Sequence, residues 1–328
     1  MPGFKSEAVH DRVLPGLAPR AGAGGSGLLL VANKADNTVT VIDVESGASL
    51  ATLPTGAGPH EVAVSADGRW AVTTDYGAQT PGGTLTVIDL ANRSVVRTID
   101  LSPHRRPHGA VFLPNGRLLV TSETSQALLQ VDVARGVVTG TAPTNARGSH
   151  LVAVPADARR AYTANIFDGS ITEIDLESMT ATRTLAVSQQ TEGVAVTPDG
   201  RQVWLGSNAL GTVTVIDVAA WAPIDTLADL GLPYRVNAAP VGGLMIVSNP
   251  RADSAYVFDA ATRARRAAVF TGAGTQPVGG VVSRDGRRAY LALQGTNQVA
   301  QVDLQSGAVL RYFSVGARPD GVAITGSR

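Results

Sequence analysis

The chain contains no cysteine. That excludes disulfides, thiolate nucleophiles, Cys-ligated zinc and iron–sulfur clusters. A surplus of one charge is also missing, with 27 Lys and Arg against 27 Asp and Glu. Non-specific nucleic-acid binding draws on a basic surplus, so no nucleic-acid partner is expected. Aromatic residues make up only 5%, too few for the stacking platforms that hold single strands. Long apolar runs are lacking. The longest, Leu28 to Ala32, falls far short of the ~20 residues a membrane-spanning helix needs. Residues 1–27 lack the apolar stretch of a signal peptide. The sequence as it stands reads as cytoplasmic, or as periplasmic or secreted if a leader has been removed. No G-x-S-x-G, H-E-x-x-H or EF-hand pattern occurs. Gly22 to Gly27 fits G-x-G-x-x-G, but a strand pattern follows it where a dinucleotide site needs a helix.

What is present is a globular composition, 44% hydrophobic and 16% charged. It is organised as a repeat. A hydrophobic pair or its equivalent ending in Asp recurs at Asp43, Asp89, Asp132, Asp175, Asp217, Asp259 and Asp303, with steps of 46, 43, 43, 42, 42 and 44 residues. Seven copies at this period fit four-stranded propeller blades of ~40–45 residues. Each copy starts with an apolar strand such as Glu61-Val62-Ala63-Val64. An Asx-Gly turn follows (Asp67-Gly68, Asn115-Gly116, Asp199-Gly200, Asp285-Gly286). Asx-Gly between apolar runs signals a hairpin, because the turn needs positive φ. The copy ending at Asp259 departs most, with Val241-Gly242-Gly243 in place of Asx-Gly.

Short, evenly spaced strands without helical periodicity read as all-β. The chain opens on a second strand, 28–33, and ends on an unpartnered first strand, 320–325. Pairing the two closes a ring and removes exposed sheet edges. The expectation is a seven-bladed β-propeller of antiparallel blades over 28–328, with 1–27 as a tail or strap.

Leu30-Val31-Ala32-Asn33 with Asn37 to Asp43, and Tyr162-Thr163-Ala164-Asn165 with Gly169 to Asp175, resemble the YVTN-type repeats of seven-bladed propellers, the lactonase-like family among them. The resemblance runs from about residue 28 to the C-terminus. It implies the fold. Such propellers include lactonase-like enzymes, lyases, surface proteins and binding modules, so it leaves the activity open.

Aligning the seven first strands places His60, His108, His150, Glu192, Tyr234, Val278 and Asp320 in one column. First strands line the central channel of a propeller, so the column is expected to form a ring at the channel mouth. Three of the five histidines fall on consecutive blades. Three neutral imidazoles converging on one point suit a divalent transition metal such as Zn, Fe or Cu. His60, His108, His150 and Glu192 are the candidate ligands. Glu192, Tyr234 and Asp320 are candidates for acid–base work or substrate orientation. Against this stands a plainer reading: Pro107-His108-Gly109 looks like repeat consensus, and a mouth histidine can simply bond water or a loop. His10, in the tail, and His104, in a loop, read as solvated.

A second column, taken as the last residue of each second strand, reads Asn33, Asp75, Glu123, Asn165, Asn208, Asn249 and Gln294. These polar groups would sit near the ring and support its ligands or touch substrate. For most of them a turn-capping role competes. Asp75 and Glu123 depart from Asn and stand out, and Asn165 belongs to the same set. Arg106, Arg147, Arg235 and Arg318 flank ring positions and could grip a carboxylate. The insertion Tyr76 to Gly83 would raise a rim on the histidine side. Two functions are compatible: a metal-dependent hydrolase, lyase or isomerase acting on a small molecule, as a monomer, or a non-catalytic propeller that binds a protein, peptide or envelope component.

Overall fold

A computed structural model describes residues 27–326. The tail, with His10 and nearly all of the Gly22 to Gly27 run, lies outside them. The described residues form seven four-stranded antiparallel sheets and a single 3₁₀ turn, Pro250–Ala252. None of their helices is long and apolar enough to cross a membrane.

Blade 1 is built from both chain ends. Pro319–Ile324 pairs with Leu28–Asn33, with Leu30 opposite Ala323 and Val31 opposite Val322. The ring therefore closes as the pattern of incomplete first and last copies requires. Blades 2 to 7 follow in chain order. Their first strands are Pro59–Val64, Pro107–Phe112, Ser149–Ala153, Thr191–Val196, Arg235–Ala238 and Pro277–Val282.

Second and third strands read as continuous apolar runs because both faces of each blade are covered. Leu29 and Val31 pack with Tyr290, Val299 and Phe313 of blade 7. Leu30, between them, packs with Ala71 and Ile88 of blade 2. This is the two-residue period of a strand serving two interfaces at once. Seven such clusters lie one between each pair of neighbouring blades. Fourth strands face solvent and alternate between exposed and half-buried, as in Ser49–Pro54.

The recurring Asp is structural. Asp43, Asp175, Asp259 and Asp303 each accept from the backbone N–H three residues on, at 2.7–2.8 Å, which is an Asx-type turn. In the Asx-Gly turns only the glycine has positive φ, for instance 69° at Gly68. Asp67 instead accepts from Ser65 Oγ at 2.5 Å and Arg69 N at 3.1 Å.

Candidate metal and substrate site

Each ring residue is the second of its first strand, or the equivalent just before it for Tyr234. The strands can crowd the axis because small residues follow. A Cβ on Gly279 would lie 1.9 Å from Asp320 O, and one on Gly321 2.5 Å from His60 O. With glycine at these places, neighbouring backbones approach closely and carry the preceding side chains together.

The three histidines form a stack. Ring centroids are 4.0 Å apart for His60 and His108, and 3.7 Å for His108 and His150, with planes tilted by 39° and 38°. All three are buried, His108 completely. His150 Nδ1 donates to Glu123 Oε1 at 2.5 Å, and its Nε2 lies 3.5 Å from Glu192 Oε1. His60 Nδ1 lies 3.1 Å from Asp320 Oδ2, while its Nε2 is 2.6 Å from Lys34 Nζ. Tyr76 stands edge-on to His60 and His108, at 5.0 and 5.3 Å, and donates to Glu123 Oε2 at 2.7 Å. Arg106 lies over the ring of Tyr76 at 4.6 Å.

Below the stack the channel is plugged. Arg235 is buried and donates to Glu192 Oε1 at 2.7 Å and, across the ring, to Glu61 Oε1 at 2.9 Å. Asn208 donates to Glu192 Oε2. A cavity of about 120 Å³ beneath is lined by Glu61, Arg235, Asn237 and strand backbone. A larger hollow of about 570 Å³, walled by Arg160, Glu173, Arg183 and Asp217, includes a repeat aspartate at the far end of its blade and contains none of the ring residues.

Burial sets the electrostatics. It holds the His60 imidazole well below its ordinary value, helped by Lys34 and Arg235. Burial does the same to His108, helped by His150 and His60. His150 also pays for burial, but Glu123 and Glu192 outweigh it and raise the net value. Burial pushes Asp320 up to about 6, against the pull of Arg235 and Lys34. For Glu192, burial is outweighed by His150 and Arg235, and the carboxyl ends lower. Neutral imidazoles are the form that binds metal.

The donor set fits a metal ion. Among the described residues, His60 Nδ1, both nitrogens of His108 and His150 Nε2 are buried without a hydrogen-bond partner. Orphaned buried polar atoms are uncommon and call for an explanation. Two sets have ligand atoms all within 4.8 Å of one another: His60, Glu61 and His108, and His108, Glu123 and His150. Each combines two imidazoles and a carboxylate. Two sets sharing His108 is a different arrangement from three imidazoles meeting at one point.

The other sequence candidates divide. Glu192, Arg235 and Asp320 join the cluster. Tyr234 is half-buried, with the Arg235 guanidinium over its ring at 4.8 Å. Val278 belongs to the apolar core between blades 7 and 1. Asp75 accepts from Thr73, Thr84 and Thr86 at 3.1, 2.8 and 2.9 Å. Asn165 donates to Ser170 and Thr172 at 3.0 Å. Both therefore clasp the next strand. The reason lies in the register. Asp75 pairs with Pro59 and Asn165 with Ser149, but Ser122 pairs with Pro107 and Ser207 with Thr191. Glu123 and Asn208 thus stand one residue past the strand end, where they reach the ring. The second column mixes two positions. Arg318 is exposed and donates to Gln294 at 3.4 Å, and Arg147 pairs with Asp168 at 2.6 Å.

Three site residues have no place in the sequence columns: Lys34, Glu61 and Tyr76. Each had a signal. Lys34 is one of two lysines in the chain and directly follows Asn33. Glu61 directly follows His60. Tyr76 opens the insertion that extends the hairpin of Trp70–Gly77 and Pro81–Asp89.

A family model described as a YNCE-like beta-propeller matches residues 16–117. No curated protein matches the chain. Among solved structures, a chain of Kuenenia stuttgartiensis hydrazine synthase aligns with a TM-score of 0.66 at 18% identity, covering 76% of this chain and 77% of that one. At that identity the likeness speaks for the fold alone. The chain is a seven-bladed β-propeller whose N-terminal part is similar to the YNCE-like propellers.

Proposed function

We propose that the histidine stack holds a divalent transition-metal ion and that the channel mouth is the active site of a metal-dependent enzyme acting on a small molecule. The observation that carries this reading is the set of buried imidazole nitrogens without partners, on three consecutive blades. A buried polar atom left unpaired costs about 1–3 kcal/mol. In the middle of the stack both nitrogens of His108 and Nε2 of His150 are left this way, a costly arrangement that an ion on one His108 nitrogen and on His150 would relieve in part. The ligands are drawn from His60, His108 and His150, with Glu192 beside His150.

When bound, the ion supplies Lewis acidity and acidifies a coordinated water. The chain's own groups define the rest. Glu123 holds Nδ1–H of His150 and so turns Nε2 toward the ion, the usual carboxylate–histidine support. Tyr76 covers the stack and restricts entry from the blade 2 side. Arg235 keeps Glu192 ionised and in place. Asp320, on the same ring, is fully buried and steadies His60 and Lys34, and Tyr234 packs half-buried beside Arg235. Hydrolysis, elimination and isomerisation all use such a site.

The test is elemental analysis of protein purified without chelator, repeated on His108→Leu. A stoichiometric transition metal that disappears in the variant supports the reading. Metal-free wild type that cannot be loaded refutes it, and leaves the propeller as a binding module for a protein, peptide or envelope component.

A further inference from the structure

We infer that Lys34 is a built-in cation that shares the histidine stack with the metal: the ammonium serves His60, and the ion sits on His108 and His150. This rests on the proposed metal site and assigns its parts.

Three observations lead to it. His60 and His150 are oriented alike. In each, Nδ1 faces a buried carboxylate, Asp320 at 3.1 Å and Glu123 at 2.5 Å. That leaves Nε2 as the lone-pair nitrogen of both rings. At His150 this nitrogen has no hydrogen-bond partner and lies 3.5 Å from Glu192 Oε1. Two ligand atoms each ~2.1 Å from one ion are about 3.0–3.4 Å apart, so the pair is spaced much as a coordination edge. At His60 the same nitrogen already faces a cation, Lys34 Nζ at 2.6 Å. Nζ is also 3.7 Å from Asp320 Oδ2.

The second observation is the pair of ligand sets. They overlap at His108, one on the His60 side and one on the His150 side. The His60 side is where Lys34 stands. The third is charge. Four carboxylates, Glu61, Glu123, Glu192 and Asp320, contact one another's partners in this cluster against two fixed cations, Arg235 and Lys34. Buried charges need partners. The carboxylates outnumber these cations, and Lys34 already supplies positive charge on the His60 side, which leaves the His150 side for a dication.

The test uses the full chain, stripped with EDTA, loaded with Zn(II) or Co(II) and dialysed, with metal counted by mass spectrometry and affinity measured by calorimetry. Wild type is expected to hold one ion per chain. His60→Leu should keep it with affinity changed by less than about tenfold, whereas His150→Leu should weaken it by a hundredfold or more. Lys34→Ala vacates Nε2 of His60 and should take up a second ion. One ion in wild type that His60→Leu and His150→Leu weaken alike would overturn the division and leave the metal site standing. Lys34→Ala remaining at one ion would overturn it too, whatever the folding of the histidine variants. No ion in wild type would instead overturn the metal reading itself.

Discussion

Replacing His108 by leucine should make the metal-free protein more stable. His108 is 0% exposed and neither ring nitrogen has a partner. Two buried unpaired polar atoms cost about 2–6 kcal/mol together, at about 1–3 each. Leucine has similar volume and no polar atom, so the penalty vanishes. Ring contacts are lost in return. The contacts with His60 and His150 are tilted by 39° and 38°, neither offset-stacked nor edge-on, and forfeit little. The edge contact with Tyr76 is worth about 1 kcal/mol. The net expectation is a gain of about 1–5 kcal/mol in EDTA-treated protein, read as a higher urea midpoint at unchanged slope. Adding metal should narrow the difference or reverse it. An ion at a hundred times its Kd stabilises the wild type by about 2.7 kcal/mol and the variant not at all. If stripped His108→Leu proves less stable than wild type by 1 kcal/mol or more (an estimate on the scale of one hydrogen bond), the imidazole has partners in solution, and the orphaned-nitrogen argument fails.

Other outcomes follow from the same reasoning. Burial pushes Asp75 up to about 6. Its folded value lies above the unfolded one, so its contribution is fully present below about pH 4 and is lost as pH rises through 6, about 3 kcal/mol for a shift of some two units. Asp75→Asn should therefore raise stability at pH 8 and change little at pH 4, since Asn33 and Asn165 make the same kind of threonine or serine contacts in their own blades; equal melting shifts at both pH values would contradict this. Arg235→Met strands Glu192 and Glu61 inside the channel and should cost about 3–5 kcal/mol at pH 8, and less at pH 5, by thermal denaturation. Trp204→Ala empties a fully buried site between blades 5 and 6 and should cost about 3–5 kcal/mol, with metal content unchanged.

The fold was legible because a propeller repeats one short-range rule seven times. Apolar alternation, a turn and a terminal Asp recur in every copy, and each is local. The ring column was legible for the same reason: six of the seven first strands present their second residue at the mouth and the seventh the residue just before it, so the repeat's own register suffices. The second column is not one position: Glu123, Asn208 and Gln294 lie one residue past their strand ends, because counting backward from a strand end depends on where pairing stops. Ser122 and Ser207 end their strands with hydroxyls bonded to Arg105 O and Gln189 O, both at 2.6 Å, and so move the polar residue one step outward. Lys34 and Tyr76 reach the site by side-chain length rather than backbone place. No periodicity encodes that.

The histidines are not what the fold asks for at the mouth. Symmetry makes the seven ring positions equivalent in backbone terms, and each blade answers the same steric demand. Val278 meets it with an apolar side chain, 3% exposed and packed into an interblade core. Burying valine there stabilises, whereas burying His108 with both nitrogens unpaired costs. A fold that accepts valine at this place has no structural need of imidazole. The departure is also not scattered. Three costly residues occupy adjacent blades, the carboxylates that orient two of them come from Glu123 and from Asp320 on the neighbouring blade, and the apolar member stands on the other side of the ring. Drift would distribute such losses around the circle or remove them. Their concentration at the point where Lys34, Tyr76 and Arg235 also converge is the pattern that the proposed ion site accounts for.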